Sequence, residues 1–298
     1  MNLAAAHVGI TIVQLLVSGI GVGSIYALIA LGFNVVFKST GAMNFAQGEW
    51  VVMGGMISAA LLGVTGPVGL ACLAAVVIVA AVGMLSERLV VGPLRHPTPL
   101  LITLVSIGLS ICSRSLIMLM LGKRPVGYPG FSGEAMIAWG GVVFPTQTLW
   151  IIGITLLFLV AMHAFFERSM LGKAMRAAAA DRDAATLVGV RVDLTIMLSF
   201  GIAALAGGLA GAIITPLTLS SYDQGALFGF KGFSAAMLGG LGSLPGAVLG
   251  GLALGLLEAF GSFYISSGFK DAIAFAALLL ILFLRPSGFM GRADLVKV

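Results

Sequence analysis

The chain reads as long apolar stretches separated by short polar connections. The apolar runs fall at about 9–37, 50–65, 68–91, 99–121, 149–167, 193–215, 232–260 and 271–285. A helix that crosses a bilayer needs about 20 mostly apolar residues, and the runs supply such lengths almost end to end. The first and seventh exceed a single crossing and are rich in glycine, which marks each as a candidate for a broken helix. The expected fold class is an all-α integral membrane protein. It would be a polytopic helical bundle of about 7–8 transmembrane helices with one or two broken or re-entrant helices. No soluble domain or long linker interrupts the pattern, so residues 1–298 are expected to form a single transmembrane domain.

Composition sharpens this reading. Charged residues make up 9% of the chain, hydrophobic residues 59%, and the mean hydropathy is +1.13. Soluble domains carry roughly 25% charged residues to coat a watery surface, so this chain must face hydrocarbon. Its net charge of +5 would suggest nucleic acid in a soluble protein. Here the basic residues sit in short connections, without a cluster interleaved with aromatics, and nucleic-acid binding is set aside. Cys72 and Cys112 lie far apart inside apolar runs and are expected to be buried free thiols. His7, His96 and His163 fall on separate segments, and neither a metal-ligand spacing nor a Ser/His/Asp set is visible. An intramembrane enzyme is therefore disfavoured, and no cofactor is expected.

Orientation follows from the excess of Lys and Arg on the cytoplasmic side. The 168–192 connection holds Arg168, Lys173, Arg176, Arg182 and Arg191 and is assigned to the cytoplasm. Alternation then places Lys38, Arg88 and Arg95 on the same side, with Lys123, Arg124 and the N-terminus outside. If run 232–260 dips in and returns as two shorter helices, Arg285, Arg292 and Lys297 are also cytoplasmic. Eleven basic residues then lie inside against four outside, Lys231 and Lys270 completing the latter group. A single crossing gives a weaker bias. The hairpin is preferred, and Gly242-Ser243-Leu244-Pro245-Gly246 is a breaker in the right place.

Small residues recur at four-residue spacing: Gly19, Gly23 and Ala27; Ala203, Gly207, Gly211 and Thr215; Gly242, Gly246 and Gly250. Such ridges allow close helix approach, inside this chain or against a partner. The Gly239–Gly246 cluster lacks the lysine of a phosphate-binding loop, so any ATP that powers the protein must be hydrolysed by another chain. Asn44-Phe45-Ala46-Gln47-Gly48-Glu49 sits between the first two runs. It is either an ordinary polar turn or an unwound segment lining a solute path. Asn34 and Arg114 lie inside apolar runs and are candidates for the same path, because polar groups at such depth are costly. Glu258, near the end of its run, could instead reach the interface.

The link from Glu167 to Asp193 is longer than two spans need, alanine-rich and charged. Its composition predicts a short helix over roughly 173–187, stopped at Gly189, with Arg176, Asp181, Arg182 and Asp183 exposed. It is either a linker lying on the membrane surface or a knob that docks on a cytoplasmic partner.

Several of these stretches resemble the LivH-type permeases of branched-chain amino acid ABC importers. Gly23–Gly32 is similar to the family's first helix. Met43-Asn44-Phe45-Ala46-Gln47-Gly48-Glu49 resembles its N-F-A-[HQ]-G-E signature. Residues 172–189, through Gly172, Arg176, Asp181, Arg182, Ala185 and Gly189, resemble its cytoplasmic coupling segment. Lys231-Gly232-Phe233 followed by Gly239–Ala247 resembles its late glycine-rich motif. Arg114 departs from the pattern, since an uncharged polar residue is expected there. The resemblance implies a permease in the bacterial inner membrane that translocates a small polar solute by alternating access. It also implies a second homologous permease, two cytoplasmic ATPase subunits, an extracytoplasmic solute-binding protein and surrounding membrane lipid. The cargo is expected to be a branched-chain amino acid, with urea, an amide, a sugar or an aromatic acid as alternatives. A stand-alone secondary transporter or channel would need deep ion-coupling acids, of which the chain offers few.

Overall fold

The computed structural model describes residues 2–94, 98–285 and 287–291; Arg95, His96, Arg292 and Lys297, which entered the readings above, lie outside them. The chain forms α1 (Asn2–Thr40), α2 (Gln47–Thr65), α3 (Val68–Ser86), which runs into a π-helical turn at Glu87–Val91, and α4 (Pro99–Leu121). A small hairpin, β1 (Met136–Trp139) and β2 (Val142–Pro145), precedes α5 (Thr146–Arg168). Then come α6 (Met170–Ala180), α7 (Arg182–Leu187), α8 (Val192–Thr218), α9 (Gly225–Gly239), α10 (Leu244–Tyr264) and α11 (Lys270–Leu284). Among the described residues, eight helices are long and apolar enough to cross a membrane. Helix α11 reaches that length only together with the 3-10 turn at Ser267–Phe269 that leads into it, whereas the 15 residues of α9 give about 22 Å of rise, short of the ~30 Å hydrocarbon core.

The first apolar run is one continuous helix and is not broken. The seventh is broken at Gly240–Ser243, where Gly240 (φ 102°) and Gly242 (φ 76°) take a left-handed backbone that side chains with a Cβ resist. Ser243 then caps α10, its Oγ accepting from Gly246 N at 3.1 Å. The two pieces pack antiparallel, with Gly246 against Gly239 and Gly250 against Ala235. Gly242 therefore belongs to the turn and not to a helical ridge, which corrects the sequence expectation. Asn34 secures the turn: its Nδ2 donates to Ser243 O at 2.8 Å and its Oδ1 accepts from Gly242 N at 3.2 Å.

Contacts divide the molecule into two ends. Arg182 Nη2 donates to Ser39 O at 2.6 Å, and Phe289 N and Met290 N donate to Leu238 O and Gly239 O at 2.8 and 2.9 Å. The end of α1, the 168–192 link, the α9–α10 turn and residues 287–291 thus share one end. At the other, Gln14 Nε2 donates to Val143 O at 2.5 Å, and Val126 pairs with Ser220. This is the arrangement that the dipping hairpin requires.

The remaining ridges pack inside the chain. Gly19 and Gly23 lie against Leu256 and Leu252 of α10, and Gly207 lies against Gln47 and Trp50. A Cβ on Gly211 would stand 1.8 Å from Val51 O, so α8 and α2 meet backbone to backbone. A Cβ on Gly246 would stand 2.4 Å from Gly239 O. Gly246→Leu should therefore force α9 and α10 apart and destabilise the fold by about 1–3 kcal/mol, read as a lowered midpoint of thermal unfolding in detergent. A wild-type midpoint would mean that the two helices do not touch there.

Two further expectations are corrected. Cys72 is buried as expected, but Cys112 is exposed on α4, because that helix turns much of its surface outward from this chain. Glu258 does not reach an interface; it is 1% exposed. Its Oε1 accepts from Lys231 Nζ at 3.0 Å and Lys270 Nζ at 2.9 Å, and its Oε2 from Tyr26 Oη at 2.6 Å. Lys231 also meets Asp271 at 2.7 Å. Two cations and two anions thus balance where α1, α9, α10 and α11 converge, which is how a low-dielectric interior tolerates ions.

Candidate functional site

The site is built from the point where α1 ends and α2 begins. Gly41 (φ 70°) stops α1, and residues 41–46 are non-helical. Asn44 Oδ1 accepts from Ala46 N at 3.1 Å, a local turn typical of asparagine. Thr103 and Ser106 of α4 take up the freed backbone, accepting from Met43 N at 3.3 Å and Phe45 N at 3.0 Å. Gln47 packs on Gly32, eight residues before the end of α1, so α2 starts about 12 Å inside the helix bundle. This is an unwound segment at depth, tolerated because neighbouring side chains satisfy its backbone.

Asn44, Gln47 and Glu49 are each 0–1% exposed, and so is Trp50. Gln47 Nε2 donates to Ala203 O at 2.9 Å, and Glu49 Oε1 accepts from Ser110 Oγ at 3.1 Å. Asn44 Nδ2, Gln47 Oε1, Glu49 Oε2 and Trp50 Nε1 find no hydrogen-bond partner among the described residues. Buried polar atoms are nearly always paired, and four orphans within seven residues mark this segment as unusual.

Glu49 also meets α9. A Cβ on Gly225, the first residue of α9, would stand 2.3 Å from the Glu49 carboxyl carbon, so only glycine admits the side chain there. The carboxylate thereby lies at the positive end of the α9 dipole. Ser106, Ser110 and Arg114 follow one another at helical spacing on α4 and share a face. Arg114, half-buried, lies over the Tyr222 ring at 5.7 Å, and its charge acts on both Glu49 and Asp223. Among the described residues it makes no ion pair with either. The hydroxyl of Ser221 donates to Asp223 at 2.5 Å and holds that carboxyl below its usual range. Within the 41–46 segment, Phe45 lies 5.8 Å from Phe233 and 6.4 Å from Phe230 of α9.

The structure thus brings Asn44, Gln47, Glu49 and Arg114 to one region where α2, α4, α8 and α9 meet. It places Asn34 elsewhere, with its amide engaged by the α9–α10 turn. Sequence reasoning missed Ser110, Trp50, Tyr222 and Gly225. Ser110 was open to discovery, four residues before Arg114 and so on the same helical face; the others gave no signal.

The 168–192 link folds as two helices, α6 and α7, not as the single helix expected over 173–187. Asp181 is extended (φ −155°) and its Oδ1 accepts from Ala184 N at 2.9 Å, capping α7; aspartate prefers that role to a helix interior. Asp181 and Asp183 are exposed, whereas Arg176 and Arg182 are half-buried. Arg176 pairs with Glu167 at 2.5 Å, and Arg182 reaches Ser39. A Cβ on Gly172 would stand 2.3 Å from Phe165 O, so α6 folds back tightly on α5. Ala185 is buried, and Gly189 (φ 86°) ends the segment. Met170, Leu187 and Val188 are 79–89% exposed, the most exposed apolar tips on this alanine-rich, charged element.

The sequence profile of the family described as "Branched-chain amino acid transport system / permease component" matches residues 15–282. The chain is 34% identical to the high-affinity branched-chain amino acid transport system permease protein LivH of Escherichia coli K12, an alignment covering 96% of this chain and 97% of that protein. It is 36% identical to BraD of Pseudomonas aeruginosa, with the same coverage. A more distant relative is the ribose import permease protein RbsC of Escherichia coli K12, at 25% identity over 79% of this chain and 74% of that one. A solved chain described as PsaBC from Streptococcus pneumoniae in complex with Fab shares the fold at a TM-score of 0.50, 13% identity and coverage of 96% and 97%. With a profile matching most of its length, and an unwound segment and short dipping helix at its centre, the chain belongs to the family of permease components of branched-chain amino acid transport systems.

Proposed function

We propose that this permease passes a branched-chain amino acid along a path beside residues 44–49. The reading is supported by the relatives at 34–36% identity and carried by the four unpaired polar atoms between Asn44 and Trp50. Glu49 offers a buried carboxylate oxygen, and Arg114 a guanidinium held farther away than an ion pair. An α-amino acid carries the complementary charges, its ammonium for Glu49 and its carboxylate for Arg114, which a planar guanidinium binds well. The Phe45, Phe230 and Phe233 rings offer apolar surface for a branched alkyl side chain.

The permease needs an engine and a source of selectivity. Members of such transport systems act with ATPase and solute-binding partners, and we assign this chain two cytoplasmic ATPases, a second homologous permease and an extracytoplasmic binding protein. Gly172–Gly189 is the proposed coupling segment, with Met170, Leu187 and Val188 as the apolar tips that seat in the ATPases. Because α6 rests on α5 and Arg182 grips the end of α1, a push on this segment reaches the end of the bundle that holds the α9–α10 turn.

The test is reconstitution. Proteoliposomes containing this chain, its partner permease and the ATPases should take up labelled leucine only with ATP inside and binding protein outside. Uptake of ribose in place of leucine would overturn the cargo, and ATP-independent uptake by this chain alone would overturn the coupling.

A further inference from the structure

A cavity of about 890 Å³ lies apart from the path just described, at the end assigned to the cytoplasm. It is bounded by α1, α5, α6 and the α9–α10 turn. Its inner wall is apolar, with Leu31, Val35, Leu159, Met162 and Val248. Its mouth carries Lys38, Arg176 and Glu167, with Ser39 and His163 beside them. Leu31 lies seven residues before Lys38 on α1, and Leu159 nine before Arg168 on α5. At 1.5 Å of rise per residue the cavity thus reaches roughly 10–14 Å from the membrane surface into the hydrocarbon.

Charge at the mouth is unbalanced. Arg176 pairs with Glu167 through one nitrogen, at 2.5 Å, which leaves further guanidinium donors. Among the described residues Lys38 is in no ion pair. A greasy slot of this depth with a cationic rim matches one class of molecule, a lipid with an anionic headgroup. Cytoplasmic leaflets supply such lipids and attract basic residues at their surface.

We infer that this cavity holds an acyl chain of an anionic phospholipid from the cytoplasmic leaflet, its phosphate seated between Lys38 and Arg176. The lipid touches α6 of the coupling segment on one wall and Leu241–Pro245 on the other. It therefore joins the element that receives the push to the turn that carries α9. The assignment rests on the cytoplasmic placement of this end.

The test measures lipid retention on the intact transporter, permeases and ATPases together, in nanodiscs of phosphatidylcholine with and without phosphatidylglycerol. After mild delipidation, native mass spectrometry should find phosphatidylglycerol retained in preference to phosphatidylcholine. Lys38→Gln, a surface change that leaves the core intact, should lower that retention roughly fivefold. Val248→Trp fills the apolar end without altering charge and should lower it as well. Equal retention of the two lipids, or unchanged retention in both variants, would overturn the inference. So would phosphatidylglycerol held by the free permease but excluded once the ATPases are bound, since the mouth would then be an ATPase contact. The readout does not depend on uptake, so a negative result leaves the permease reading standing.

Discussion

Glu258→Ala is expected to cost about 3–5 kcal/mol of folding stability, more than the Gly246→Leu change at the α9–α10 contact. Lys231 is 4% exposed and relies on Glu258 at 3.0 Å and Asp271 at 2.7 Å. Removing Glu258 leaves Lys231 and Lys270 facing a single carboxylate, and Tyr26 without its acceptor. A buried, uncompensated ammonium in a helix bundle is far more costly than a missing contact. The check is thermal unfolding in detergent, with folded yield from membranes. Pairing Glu258→Met with Lys231→Met should recover most of the loss, because removing both charges of a buried pair is often nearly neutral. If Glu258→Ala unfolds at the wild-type temperature, α9 is held by its glycine contacts alone.

Glu49→Gln should leave the fold and assembly intact yet reduce leucine uptake about 10- to 100-fold. Glutamine is nearly isosteric and still accepts from Ser110, so the contacts of α2 with α4 persist. What disappears is the negative charge at the start of α9. A hydrogen bond to a charged group contributes about 1.5–3 kcal/mol, and each 1.36 kcal/mol is tenfold in rate. Arg114→Met should produce a similar loss, since methionine keeps the bulk but offers no cation. The discriminating measurement is uptake set against ATPase activity without solute, which neither variant should change. Wild-type uptake by Glu49→Gln would remove the carboxylate from the proposed path.

Much of this molecule is legible in the amino-acid order, and the reasons differ by feature. The spans follow from run length, because hydrocarbon imposes one requirement on every crossing segment. The break in the seventh run follows from glycines and proline whose backbone preferences are local. Asp181 shows a local signal overlooked: an aspartate between alanine-rich turns is a helix cap, and it divides the 168–192 link into two helices. Lys231 shows a signal that was never local. By position it counts as a charge in an external connection, yet it is buried because Glu258 and Asp271, 27 and 40 residues onward, come to meet it.

The same division holds at the candidate site. Asn44, Gln47, Glu49 and Arg114 stand out in sequence because polar groups beside apolar runs are costly wherever they end up. Their gathering in one region, and the engagement of Asn34 by a turn instead, depend on which helices cross at Gly32, Gly225 and Gly211. Sequence by itself determined that this chain spans a membrane about 7–8 times and which residues are expensive to bury, since transfer free energies belong to residues one at a time. Only the tertiary structure decided which of those residues are paired and which are left open, because pairing is a property of two distant positions brought within a few ångströms.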